Sequence, residues 1–270
     1  MNIDYSNIKK DKYIVQGLTI IDNLFFISAY KKNDYSRLYI YNTDKYLGKI
    51  ILDNKYHVGG ISFDKKKQII FVTGSAKSIS TYNYTKLIKL MNKDNFTINL
   101  NEHNNIIIKN DLITPFRAAT LYIYKGYIYI TKFDLNTKIA KIKYSYDNKI
   151  VTQDKLVDLG TIKNSFCVQG ISLYKDYLYL SSSLGATKSF ISIYDKNLKF
   201  VKRRIINQMG MEGIIIKNDI LYSIYEMGKQ RITLHHLNDL DELSSRSLFL
   251  KWKYTLSYKI YHKIKNRKHK

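Results

Sequence analysis

Proline and cysteine are almost missing from this 270-residue chain, with one of each. Pro115 sits where a connection is expected, because proline cannot donate to the ladder inside a sheet. Cys167 has no partner for an internal disulfide, and a single thiol fits a reducing compartment. No stretch approaches 18 apolar residues, the length a membrane-spanning helix needs. The opening MNIDYSNIKKDKYIVQG has no apolar run of signal-peptide length. These absences predict a cytoplasmic protein. Also missing are GxGxxG, GxxxxGK[ST], HExxH and GxSxG, which removes the usual dinucleotide, phosphate-loop, zinc-protease and hydrolase signatures. There is no DxDxDG-type calcium loop. The adjacent His235 and His236 would point to opposite sides of a strand and cannot chelate one ion together, so no metal ligands are assigned.

Acids are scarce as well, 22 Asp and Glu against 45 Lys and Arg, a net charge of +23. Eight of the basic residues, and no acid, fall in the last 20 positions. Such a balance favours anionic partners, whether nucleic acid, acidic lipid or acidic glycan. The alternative is a lysine-rich solvated surface.

What the chain does contain is a repeat. QGLTIIDNLFFISAYKKNDYSRLYIYN, from Gln16 to Asn42, returns without a gap as QGISLYKDYLYLSSSLGATKSFISIYD, from Gln169 to Asp195. Weaker copies complete the series. Each opens on a small residue followed by an alternating strand, at Gly17, Gly60, Thr120, Gly170 and Gly213, so the intervals are 43, 60, 50 and 43. A short turn follows: Asp22-Asn23, Asp64 to Lys67, Lys125-Gly126, Lys175-Asp176 or Asn218-Asp219. The second strands read LFFIS, QIIFVT, YIYIT, YLYLS and ILYSI, and the third RLYIYN, SISTYN, IAKIKY, SFISIYD and RITLHHL. Turn residues between β-branched and aromatic runs predict hairpins. A unit that cannot bury its apolar face alone must stack on copies of itself. Spacing near 50 residues suits propeller blades of four antiparallel strands. The expectation is an all-β chain, a five-bladed β-propeller over 1–250, with a basic aromatic tail over 251–270. The long second interval is read as an insertion with a helical turn near Lys86 to Met91 and the outer strand of the second blade. A sandwich would alternate too, without five copies of one opening, and solenoid coils are usually shorter.

In a propeller the inner strands begin, and the second strands end, on one face beside the axis. Residues there should converge on a funnel, the concave setting of most ligand sites. One ring would hold Gln16, His57 with Gly59, Arg117 with Ala119, Gln169 and Glu212. A second would hold Tyr30, Ser75, Phe133, Ser183 and Glu226. Unlike polar groups at equivalent places fit a ligand-reading funnel better than pure repetition. Glu212, partly desolvated, reads as a general base, metal ligand or amine receptor, or as an ion-pair partner of Arg117. His57 reads as its acid/base partner or as a structural hydrogen bonder. Gln16 and Gln169 are inter-blade bonders or ligand contacts. Calcium on the axis, through Glu212, Glu226 and carbonyl oxygens, stays open as a cofactor. The serines at 181–183 have no His–Asp pattern to activate them.

In the tail, apolar residues recur both at every second position (Leu248 to Ile260) and every fourth (Leu248, Trp252, Leu256, Ile260, Ile264), so strand and helix both fit. The compromise is an outer strand from Ser247 to about Lys251 and an amphipathic helix beyond. Trp252 to Lys270 places aromatics among cations, as peripheral attachment to an anionic membrane requires, with nucleic-acid phosphates as a second reading.

The openings Gln16-Gly17-Leu18, Gln169-Gly170-Ile171 and Glu212-Gly213-Ile214, each leading into strand–turn–strand, resemble the five-bladed propellers of the plant and bacterial glutaminyl cyclotransferase type, and lactonase-like propellers more broadly. The likeness covers about residues 13 to 237. In that group an acid and aromatics near the axis are implied in binding an N-terminal glutamine, and Glu212 matches the acid, whereas the sole Trp, Trp252, lies in the tail. The expected function is therefore a small or peptide ligand bound in the funnel without catalysis, with a cyclotransferase- or lactonase-like enzyme and a scaffold for protein partners as alternatives.

Overall fold

The computed structural model describes residues 3–74, 77–91, 94–184, 188–228 and 231–240, and its architecture is an all-β propeller. A short helix, α1 (Ser6–Lys10), precedes the first unit: β1 (Ile14–Ile21), β2 (Leu24–Tyr30), β3 (Arg37–Tyr41) and β4 (Tyr46–Ile51). The second holds β5 (Ile61–Asp64), β6 (Ile69–Thr73) and β7 (Ile79–Asn83), then α2 (Tyr84–Ile88), β8 (Phe96–Asn99) and β9 (Ile107–Asn110). The third is β10 (Thr120–Tyr124), β11 (Tyr127–Thr131), β12 (Lys138–Tyr146) and β13 (Ile150–Thr161). The fourth is β14 (Val168–Tyr174), β15 (Tyr177–Ser182), β16 (Lys188–Tyr194) and β17 (Phe200–Met209). The fifth shows β18 (Met211–Lys217), β19 (Ile220–Tyr225) and β20 (Thr233–His236).

The local chemistry explains the hairpins. Four of the five inner turns are two-residue loops with positive φ at both positions: Asp22 and Asn23 (47° and 67°), Lys125 and Gly126 (48° and 78°), Lys175 and Asp176 (48° and 63°), Asn218 and Asp219 (53° and 60°). That is the turn whose twist matches the strands it joins, and Asn, Asp and Gly tolerate it best. In the second unit the Asp64 carboxylate caps a longer turn, accepting from the amides of Lys66 and Lys67.

The insertion contains the expected helical turn, placed slightly earlier at α2, where the Asn83 side chain accepts from the Lys86 amide. It also does something periodicity did not announce. β8 pairs in parallel with the outer strand of the first unit, β4. β9 pairs antiparallel with β7 and parallel with β13, so it is the outer strand of the second unit and joins it to the third.

The five inner strands touch in the closed order β1, β5, β10, β14, β18 and back to β1. β6 is buried on both faces, and its neighbouring residues serve different cores. Ile70 and Val72 pack with Phe26 and Ile40 of the first unit, while Ile69 and Phe71 pack with Ile128 and Ile130 of the third. Further cores lie between the third and fourth units, the fourth and fifth, and the fifth and first. The opening glycines let these inner strands meet. A Cβ on Gly60 would lie 2.3 Å from the Leu121 nitrogen, and one on Gly213 would lie 2.8 Å from that of Leu18.

The N-terminal segment closes the ring. Tyr5 is fully buried, donates to the Tyr225 carbonyl at 3.1 Å and accepts from its amide at 2.8 Å. The Ile3 carbonyl accepts from the Ile232 amide at 3.0 Å. Ser75, the strand expected from Ser247 to Lys251 and the tail from Trp252 to Lys270 lie outside the described residues. Among the described residues no helix is long and apolar enough to cross a membrane.

Candidate functional site

Three inner strands share one irregularity. Val15 pairs with Ala29 and Gly17 with Ser28, which leaves Gln16 as the extra residue of a bulge. Gln169 and Glu212 occupy the same place in β14 and β18, each immediately before its glycine. A bulge re-aims the side chain it carries, so three equivalent polar groups enter the axial region at one level.

Their contacts differ. Gln169 donates from Nε2 to Glu212 Oε1 at 3.1 Å and so links the fourth unit to the fifth. Glu212 is buried at 4% exposure. Burial above all, and then the charge of Glu226 and a hydrogen bond to it, push the Glu212 carboxyl well above the ordinary glutamate range. Desolvation disfavours the charged form, and a second carboxyl within reach adds to this. Glu226 is exposed at the end of β19, with its amide fixed on the Gly210 carbonyl at 2.7 Å. Gln16 is also buried. Its Nε2 donates to its neighbour's carbonyl, Val15, at 2.8 Å, and its Oε1 has no hydrogen-bond partner.

The remaining expected site residues fall elsewhere. His57 is exposed, and its ring centroid lies 5.2 Å from that of the half-buried Tyr30. Arg117 is exposed, and among the described residues no ion pair joins it to Glu212; the carboxyl has an amide and a second carboxyl for company instead. Ser183 is buried, its amide on the Cys167 carbonyl at 3.3 Å, and Phe133 is half-buried. The residues thus form two groups, Gln169–Glu212–Glu226 and Tyr30–His57. Among the described residues no three His, Cys, Asp or Glu side chains gather as a metal centre.

Sequence reasoning overlooked Thr131 and set Ser181 aside for want of a His–Asp pattern. Each stands at the end of a second strand, Ser181 opposite Gly170 and Thr131 opposite Thr120, and each has a buried hydroxyl without a partner. The signal was present: the second-strand motifs LFFIS, QIIFVT, YIYIT and YLYLS each finish on Ser or Thr. In the first of them Ser28 donates to the Val58 carbonyl at 2.7 Å, tying that unit to the entry of the second.

No known family's sequence profile matches the chain, and no curated protein does. Solved structures do. A glutaminyl cyclase from Myxococcus xanthus matches with a TM-score of 0.50 and 11% identity, over 86% of this chain and 92% of that one. The WD40 propeller domain of Doa1 matches with a TM-score of 0.44 and 12% identity, over 86% and 68%. The WD40 domain of Pan2 from Neurospora crassa matches with 0.43 and 10%, over 91% and 85%. At such identities the likeness concerns the fold alone, a propeller.

Proposed function

We propose that the chain is a five-bladed propeller that binds a small or peptide ligand at its axis, through Glu212, Glu226 and Gln169 with Gln16 alongside. The observation that carries this reading is the inter-unit bond from Gln169 to a buried, proton-holding Glu212. Structural repetition would be served by three identical side chains, whereas amide, amide and acid stand at the three bulges. Buried polar groups are normally satisfied, and an unmatched Gln16 oxygen at the same level supports a site completed by a ligand's N–H group. The reading is one of binding without catalysis, in a cytoplasmic protein. The test is a thermal-shift screen of metabolites and short peptides. A hit should lose its shift in Glu212→Gln and Gln169→Ala, while equal shifts in both variants reject the axial site.

A second reading is favoured by the carboxyl pair itself. A protonated acid beside a second carboxyl is the arrangement that general acid–base chemistry uses near neutral pH. Pyroglutamate formation and lactone opening, assayed with and without calcium, address the enzyme alternative; activity surviving Glu212→Gln would remove Glu212 from it. Attachment of the basic tail, Trp252 to Lys270, to an anionic membrane is a separate proposal. It predicts that the full chain floats with anionic liposomes and that a chain ending at Arg246 does not.

A further inference from the structure

Lysines gather on one face of the third unit. Strand register sets the side chains there in rows: Tyr124, Tyr127, Lys143 and Lys155 stand side by side on β10, β11, β12 and β13. Tyr122, Tyr129 and Lys141 form the next row. Both rows lie on the face turned to the fourth unit, because Tyr122, Tyr124 and Tyr129 pack on the core that holds Leu173, Leu178 and Tyr194. The inner half of this face is therefore aromatic and covered. Its outer half is basic, with Lys141 half-buried and Lys143 and Lys155 exposed. Tyr127, half-buried, stands at the border, and the Lys141 Nζ atom lies 4.8 Å from its ring centroid.

Repetition does not account for the lysines. Where the third unit pairs Tyr129 with Lys141, the fourth pairs Tyr179 with Ile193, which is buried. Lys143 stands directly opposite Lys155, and like charges so placed destabilise a sheet. The first unit shows the opposite arrangement: Arg37 and Lys49 share a face, and Asp11 Oδ2 lies 2.9 Å from both. Among the described residues no ion pair joins Lys141, Lys143 or Lys155 to an acid. The acid beside them in β13, Asp154, is the extra residue of a bulge, and its carboxylate accepts from Ser145 Oγ at 2.8 Å. Three cations beside one engaged carboxylate leave the face open to an outside anion.

Lysines alone would suit any polyanion, and the ring at the border narrows the class. Single-stranded nucleic acid is held by cations that track its backbone and by aromatic rings on which its bases stack. The Cα atoms of Lys141 and Lys143 lie about 7 Å apart along β12, and that of Lys155 about 5 Å across from Lys143, a row that an extended backbone can follow. We propose that this face binds single-stranded nucleic acid, with phosphates on Lys141, Lys143 and Lys155 and a base on the Tyr127 ring. Lys141 rests over that ring, and its move to a phosphate frees the ring for the base. The site uses none of the residues at the axis.

The test is fluorescence anisotropy of a labelled oligothymidylate with the full chain, at several salt concentrations. Each phosphate neutralised on a single strand contributes about 0.7 to the slope of log K against log salt, so Lys141→Gln, Lys143→Gln and Lys155→Gln together should make that slope shallower by about 2. Tyr127→Leu should weaken binding about tenfold at constant slope, and Tyr127→Phe, which keeps the ring, should bind as the parent does. The cations of the tail are common to every variant, so the differences report the face. The same change at Lys9, Lys10 and Lys12, exposed elsewhere on the surface, should leave the slope unchanged. Equal losses in the two triple variants would mean diffuse attraction to a basic chain and would overturn the proposal. So would parent-like affinity in Tyr127→Leu, a duplex or a heparin fragment bound as tightly as the single strand, or no binding at all.

Discussion

Glu212 keeps a proton that an ordinary glutamate gives up near pH 4.5, because it is buried and faces Glu226. The linkage has a definite sign. The folded chain binds that proton more tightly than the unfolded chain, so the stabilisation is complete below the unfolded value and is lost as pH rises through the folded one. Glu212→Gln keeps the shape and removes the titration. The Tm of the parent should fall relative to the variant as pH climbs from 5 to 8, and the variant should be a few degrees the more stable at the upper end. Parallel Tm–pH curves would mean that Glu212 ionises normally. Glycines give a second residue-scale contrast. Gly60→Ala drives a methyl against the Leu121 backbone nitrogen, which no rotamer change relieves, and should cost about 3 kcal/mol by denaturant titration. Gly126→Ala meets nothing within 4 Å and faces only its left-handed torsion, at about 1 kcal/mol. Equal losses would show that crowding at the axis is not what the opening glycines relieve.

Hairpins were the most legible elements, because their cause is local. Asp22-Asn23 and Asn218-Asp219 announce positive φ at both turn positions, and the runs beside them alternate. The glycine openings were visible too, but their reason was not: the crowding comes from the next unit, distant in sequence. The same holds for the bulges. Nothing in QGL or EGI states that the first residue is left unpaired, although that slip is what brings Gln169 to Glu212. Turn tips also reach across units in one rotational sense, which no periodicity shows. Lys125 meets Asp176 at 2.6 Å, Lys175 meets Asp219 at 2.9 Å, and Lys217 donates to Asn23 at 3.1 Å. These tips are solvent-exposed and screened by salt, so Lys175→Ala should leave Tm within error at 0.5 M NaCl. A clear loss persisting at that salt would make the clasps structural.

At the scale of the molecule, a ring of similar sheets has one seam where the last unit meets the first. Packing at that seam resembles the others, with Gly213 against Gly17 and Leu18. What differs is the covering segment. Ile3 and Tyr5 sink into the core shared by the fifth and first units, and their hydrogen bonds satisfy Tyr225 and Ile232. Tyr5→Phe removes one hydroxyl and leaves the Tyr225 amide buried without an acceptor, a cost of about 1–3 kcal/mol. Deleting residues 1–5 removes two buried apolar side chains as well, at about 1.5–3 kcal/mol each, so the total loss is about 5 kcal/mol. For a chain of this size that corresponds to a Tm lower by roughly 10 °C. Hydrogen exchange locates the effect. Protection should fall first in β18, β19 and β1, which line the seam, and last in β10 and β11 on the far side of the ring. A uniform loss across all five units would mean that the segment stabilises the chain without closing it.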